Sequence, residues 1–284
     1  MTDSTTKRQL VIIGGAEDRD GDSHVLREFV RRAGGIKAKI VIMTAAAELP
    51  RDVGEDYIRV FERLGAEAVR IVDTESREDA SSSTSLEAIA QATGIFFTGG
   101  DQARITSILK DTEIDTAIHQ RFSEGMVVAG TSAGAAVMPD TMIVEGDAQT
   151  HPRMEIVAMG PGLGFLPGVV IDQHFSQRGR LGRLLSALVQ EPAGLGFGID
   201  ENTAMVVTDH QLEVIGEGSV TIIDESEATY NNMGEILKDE PLAIFGAKLH
   251  ILPNGYKFDL KTRQPILNQK SVPNVAIPVS STNI

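Results

Sequence analysis

Short apolar runs alternate with amphipathic stretches through the first half of the chain. Residues 10–13, 39–43, 68–72, 94–97 and 126–129 read as strands dominated by Val, Ile, Phe and Ala. Between them, 25–32, 57–64, 86–92, 105–109 and 114–122 carry helical spacing, as Ile58, Phe61 and Leu64 show. Such alternation predicts crossover units and a mainly parallel sheet covered on both faces. Central strands of such a sheet bury both faces, so they read as continuously apolar.

The second half changes character. A strand signal at 169–175 and a helix at 181–189 are followed by short strand signals at 195–199, 203–208, 211–215 and 219–223. Asp209-His210 lies between two of these and predicts a hairpin turn, and 242–252 is a further apolar stretch. These elements are expected to extend the same sheet with antiparallel strands. The expected fold class is therefore α/β, a mainly parallel sheet flanked by helices with an antiparallel extension in the C-terminal half. No repeat or linker forces a boundary, so residues 1–284 are expected to form a single α/β catalytic domain with a polar, Pro-punctuated tail from about 261.

Composition narrows the picture. A chain of 284 residues that is 42% hydrophobic has the size and apolar content of a soluble globular protein. With no cysteine, disulfides, thiolate nucleophiles and Cys-based zinc sites are excluded. The N-terminus runs from Met-Thr-Asp-Ser-Thr-Thr-Lys-Arg into the first apolar run without the longer apolar region of a signal peptide. No run approaches the length of a membrane span. The expectation is a cytoplasmic protein with no membrane partner. A net charge of −14 repels phosphates, which argues against a nucleic-acid partner. The acidic balance keeps the chain soluble and is compatible with a cationic substrate.

Ligand sites in such sheets gather at the carboxyl ends of strands. Gly14-Gly15, Gly99-Gly100 and Gly130-Thr131-Ser132-Ala133-Gly134 all fall there. The last fits the G-x-S-x-G nucleophile elbow, with an apolar strand before it and a small-residue helix, 132–138, after it. Its plainer reading is a tight strand–helix turn or a phosphate-binding turn. A serine hydroxyl needs a base held by a third group. His24 and His119 fall inside helical patterns, and His210 lies in the hairpin turn. His174 ends the apolar strand Val169-Val170-Ile171-Asp172-Gln173-His174, on the same rim as Ser132. Asp200 and Glu201, adjacent at another strand end, offer the orienting acid, and spacing leaves the choice between them open. The order serine, histidine, acid differs from that of the α/β-hydrolases. Backbone amides of Ala133 and Gly100 are the candidate oxyanion donors.

Arg178, Arg180 and Arg183 follow His174 at a strand-to-helix transition. Guanidinium forks bind carboxylates, so a carboxylate-bearing substrate is expected; the plainer reading is a salt-bridged helix face. Asp172 and Gln173 flank the histidine and suit a cationic or amide group. No metal-ligand spacing occurs, and the glycines at 160, 162 and 164 lack the strand and acid of a dinucleotide fingerprint. No metal and no cofactor are expected.

As a set, Phe97-Thr98-Gly99-Gly100-Asp101-Gln102, 129–136 around Ser132, Asp172-Gln173-His174-Phe175 with the three arginines, and Gly198-Ile199-Asp200-Glu201 resemble the cyanophycinases, serine peptidases of family S51. The resemblance spans most of the chain. It implies a class I glutamine amidotransferase-like fold, a Ser-His-Glu triad that selects Glu201, a metal-free reaction and a homodimer. It also implies the substrate, cyanophycin, an aspartate backbone bearing arginine on each side-chain carboxyl, cut by an exopeptidase to β-Asp-Arg dipeptides. Gln102, Asp172, Gln173, Arg178, Arg180 and Arg183 are then the expected substrate-binding residues. The alternatives are an α-aspartyl dipeptidase on the same fold, in which the arginine set is not expected, and a non-catalytic binding protein that keeps the scaffold.

Overall fold

The computed structural model describes residues 7–191, 194–237 and 239–267. The chain opens with β1 (Gln9–Ile13), α1 (His24–Arg32), β2 (Lys39–Met43), α2 (Pro50–Arg63) and β3 (Ala68–Val72). Then come α3 (Ser83–Gln91), β4 (Gly94–Phe97), α4 (Gln102–Leu109), α5 (Glu113–Ser123), β5 (Val127–Thr131) and the short α6 (Ala133–Ala136). β6 (Thr141–Gly146) and β7 (Val157–Pro161) form a hairpin ahead of β8 (Val170–Gln173), α7 (Leu181–Gln190) and β9 (Leu195–Ile199). The rest is strand: β10 (Thr203–Thr208), β11 (Gln211–Gly216), β12 (Ser219–Asp224), β13 (Tyr230–Asn231), β14 (Ile244–Phe245), β15 (Lys248–Pro253), β16 (Lys257–Asp259) and β17 (Gln264–Ile266).

The main sheet runs β17-β16-β11-β10-β1-β5-β4-β2-β3. β1 to β5 are parallel, and β10, β11, β16 and β17 continue the sheet antiparallel from β1. Leu10 and Ile12 pack into one core and Val11 and Ile13 into another, on opposite faces of the same strand. Burial on both sides explains the continuous apolar runs. One face is closed by α1 and α2, where Phe29, Tyr57 and Phe61 pack around Phe96 of β4. Full burial of one such ring stabilises by about 1.5–3 kcal/mol.

The extension is not confined to one sheet, as the sequence had suggested. β8, β9, β12 and β15 form a second sheet in the order β15-β12-β9-β8. Hydrophobic periodicity identifies a strand but not the edge it joins. Here α7 decides it: Leu184, Ala187 and Leu188 pack with Val170 of β8 and Ile223 of β12, and the crossover brings β9 back parallel to β8. The apolar stretch 242–252 is divided between β14 and β15. The polar tail expected from about 261 includes β17, and its remainder, 268–284, lies outside the described residues.

Register brings four strand ends to one rim. Ile13 pairs with Thr131 where β1 and β5 end, and Gln173 pairs with Ile199 where β8 and β9 end. The His174 and Asn202 amides, donating to the carbonyls of Gly14 and Gly15, join the two pairs of strand ends from the two sheets.

Candidate active site

β5 ends at Thr131, and α6 begins at Ala133. Ser132, between them, takes φ 52°, ψ −112°. Such a conformation costs a non-glycine residue about 1–3 kcal/mol and persists only where its surroundings enforce it. The Ser132 amide donates to Ile13 O at 3.1 Å, and its carbonyl accepts from Ala135 and Ala136 at 2.9 and 3.0 Å. The two glycines of the motif are required by close approach. A β-carbon on Gly130 would lie 2.2 Å from Gly134 O, and one on Gly134 would lie 2.3 Å from Phe97 O.

Ser132 Oγ lies 2.9 Å from His174 Nε2, and His174 Nδ1 lies 2.6 Å from Glu201 Oε1. With Nδ1–H donated to the carboxylate, Nε2 is left to accept the serine proton. His174 has φ 48°, and its amide donates to Gly14 O at 2.8 Å. A β-carbon on Gly15 would stand 2.3 Å from His174 Cε1, so the bare glycine backbone makes the seat for the ring. Gly15 O also accepts from the Asn202 amide at 2.9 Å, which ties the Glu201 loop to the same turn. The sequence marked Gly14-Gly15 only as a turn at a strand end; the contacts with His174 and Asn202 arise between the two sheets and leave no local signal. Burial lowers the His174 pKa from its ordinary value, opposed by the hydrogen bond to Glu201 and assisted by the charge of Arg178.

Asp200 and Glu201 diverge. Asp200 is buried, accepting from the Ser176 amide at 3.1 Å and from the Ser219 amide and hydroxyl at 3.0 and 2.9 Å. It locks the strand ends, while Glu201 faces the imidazole. The Ala133 amide opens α6, where first-turn N–H groups lack intrahelical acceptors. A β-carbon on Gly99 would lie 3.4 Å from Ser132 Cβ, so this glycine borders the elbow directly. Gly100 turns toward Ala46, whose carbonyl accepts from the Asp101 amide at 3.0 Å.

Most of the expected substrate-binding set is engaged internally. Asp172 is 1% exposed, Arg180 8% and Arg183 5%. Arg183 Nε donates to Asp172 Oδ2 at 2.9 Å, its Nη2 meets Oδ1, and Arg180 Nη1 lies 3.3 Å from Oδ1. Arg180 Nη1 also donates to Gln173 O at 2.6 Å and to the Gln173 side chain. Burial pushes the Arg180 guanidinium down to about 10, with Asp172 opposing and Arg183 and Arg178 assisting. The expectation of open forks for substrate carboxylates is corrected for these two arginines: Arg183 turns its fork inward onto Asp172, and Arg180 is held through Nη1 by Asp172 and Gln173. Arg178 remains exposed beside the base. The Gln102 amide donates to the carbonyls of Ile143 and Val144, pinning the β6–β7 hairpin to the rim.

A cleft of about 200 Å³ opens over Ser132, His174 and Gly99. Glu17 and Tyr57 form another part of its wall, and Thr131 joins them through its hydroxyl. Glu17 belongs to none of the motifs in the sequence. A carboxylate just beyond the end of β1, on the rim already marked by Gly14-Gly15, was its available signal.

Known proteins agree with this architecture. Residues 10–215 match the profile described as Peptidase family S51. The chain is 44% identical over 264 residues to a cyanophycinase of Trichormus variabilis, covering 92% of this chain and 89% of that protein. It is 41% identical over 262 residues to a cyanophycinase of Geminocystis herdmanii, covering 92% and 96%. Among solved structures, a peptidase from an acI-B1 Actinobacterium superposes with a TM-score of 0.66 at 20% identity, covering 90% of this chain and 98% of that one. A putative peptidase E from Listeria monocytogenes gives 0.52 at 16% identity, covering 74% and 98%. At those identities the structural likeness speaks for the fold alone. The family match and the two curated relatives carry the conclusion: the chain belongs to peptidase family S51 and is a serine peptidase.

Proposed function

We propose that this peptidase degrades cyanophycin, releasing β-Asp-Arg dipeptides through an acyl-enzyme on Ser132. The observation that supports the reading best is the hydrogen-bond chain Ser132–His174–Glu201, 2.9 and 2.6 Å long, in a family member with relatives named cyanophycinase. In this reading His174 Nε2 takes the Ser132 proton as Oγ attacks the scissile carbonyl. Glu201 holds the tautomer and stabilises the imidazolium. The Ala133 amide, at the positive end of α6, and an amide of the Gly99-Gly100 turn receive the oxyanion. His174 then protonates the leaving amine, and water activated by the same imidazole frees the acyl group. Arg178 meets substrate carboxylates at the surface. Arg180, Arg183, Asp172 and Gln173 act from behind, holding the segment that carries the base. Gln102 acts in the same way from the hairpin side. The reading takes residues 1–284 as one catalytic domain that works as a cytoplasmic homodimer; sizing in solution tests the dimer.

The test is incubation of the purified protein with insoluble cyanophycin, with soluble products identified by mass spectrometry. The expected product is β-Asp-Arg, with a loss of at least about 10⁴-fold in kcat for Ser132→Ala. Full activity in that variant overturns the nucleophile assignment. Rapid cleavage of short Asp-X dipeptides with the polymer untouched overturns the substrate.

A further inference from the structure

Glu17 is a buried carboxylate that the proposed triad does not use. It is 5% exposed, and its two oxygens accept from the Tyr57 and Thr131 hydroxyls. Among the described residues no cation pairs with it. The nearest arginine in sequence, Arg19, instead places its guanidinium over the Tyr57 ring, 5.1 Å from the centroid. A buried carboxylate with only neutral partners is costly, and a cation arriving beside it relieves that cost. A carboxylate has about four lone-pair sites, of which the two hydroxyls fill two. The remaining capacity lies in the wall of the cleft that holds Ser132 and His174.

We propose that Glu17 is a specificity-determining residue that takes a cationic side chain of the substrate, a guanidinium, against the wall formed with Tyr57. The identity of that cation rests on the cyanophycin reading above. A guanidinium presents a planar fork to a carboxylate and is attracted to aromatic faces; Arg19, which lines the same cleft, already stands 5.1 Å from the centroid of this ring. Thr131, which precedes Ser132, couples the carboxylate to the elbow. A bound cation is thereby held at a fixed distance from the attacking oxygen.

Glu17→Gln keeps the size of the side chain and removes its charge; one of its two acceptor oxygens becomes a donor, so either the Tyr57 or the Thr131 hydroxyl must turn to accept. The wild type and this variant are compared on a soluble β-Asp-Arg oligomer and on its citrulline counterpart, in which a neutral urea replaces each guanidinium. A charge-assisted pair predicts a wild-type preference for arginine of about ten- to a hundredfold in kcat/KM. Glu17→Gln is expected to lose that preference through a fall on the arginine substrate alone. An equal fall on both substrates, or an unchanged preference, overturns the proposal. A second readout does not depend on the polymer: labelling of Ser132 by two fluorophosphonates, one with a guanidinium tail and one with a urea tail. If the wild type cleaves neither oligomer, the cyanophycin reading fails, and the phosphonate pair still judges Glu17. A guanidinium preference that disappears in Glu17→Gln supports the assignment, and an identical rate ratio in the two proteins overturns it. Should Glu17→Gln fail to fold, protection of wild-type Ser132 from the neutral phosphonate by arginine amide, but not by citrulline amide, makes the same test; equal protection overturns the proposal.

Discussion

Loss of the Asp172 carboxylate is expected to cost the fold heavily. Its carboxylate is 1% exposed and carries two guanidiniums, from Arg180 and Arg183, that are themselves 8% and 5% exposed. Asp172→Ala leaves two buried positive charges facing each other across the vacated site. Breaking a buried pair in this way costs about 3–5 kcal/mol, because the abandoned charge has neither water nor a counterion. That is a large share of the roughly 5–15 kcal/mol that holds a protein folded. At about 2–4 °C per kcal/mol, the melting temperature is expected to fall by about 6–20 °C. Thermal unfolding followed by circular dichroism reads this directly, with urea unfolding as a check that the change lies in the midpoint and not the slope. A control separates charge from packing. Asp172→Leu combined with Arg180→Met and Arg183→Met leaves no uncompensated charge and is expected to cost less than Asp172→Ala alone. An unchanged melting temperature in Asp172→Ala, with KM raised instead, refutes the reasoning and returns these residues to direct substrate contact.

Four further outcomes are expected, three of them from the site. His174 must be neutral to act as base, and burial holds its pKa below the ordinary 6.5, so kcat/KM is expected to stay high at pH 6.5 and fall only as pH drops below it. Glu201→Gln removes the interaction that raises this pKa; the acid limb is expected to move to still lower pH while kcat falls, and an acid limb that moves upward contradicts the assignment. Gly15→Ala drives a methyl group to 2.3 Å from His174 Cε1, at a φ of +98° that also disfavours alanine, so kcat is expected to fall about a hundredfold or more; a near-normal kcat shows that the ring is not seated there. Burial raises Glu225 to about 7, and its Oε1 has no partner among the described groups. A folded-state pKa above the unfolded value means stability that is complete below about pH 4.5 and declines as pH rises toward 7. Glu225→Gln is expected to stabilise at pH 8 by about 1–3 kcal/mol, discounted for partial exposure, and to change nothing below pH 4.5; equal effects at both pH values refute the linkage.

The sequence by itself determined a good deal of this protein. Strands that bury both faces must be apolar throughout, so the parallel half of the sheet was legible in 10–13, 40–43 and 94–97. The elbow was legible because close backbone approach forbids a side chain at 130, against Gly134 of α6, and at 134, against Phe97 of β4, and glycine is the visible signature of both constraints. His174 was legible as the end of an apolar strand. Only the tertiary structure decided which strands share a sheet, because periodicity encodes burial and not partners. It alone sent Asp200 to Ser176 and Ser219 and turned Glu201 to the imidazole, since both carboxylates fit the strand end equally well until β12 packs beside β9. It alone turned Arg180 and Arg183 inward, because a charged residue shows its partner only once the chain is folded. Glu17 and Gly15 belong to the same class. Their importance lies in contacts with Thr131, Tyr57 and His174, residues far along the chain that meet only where the strands β1, β5 and β8 end together.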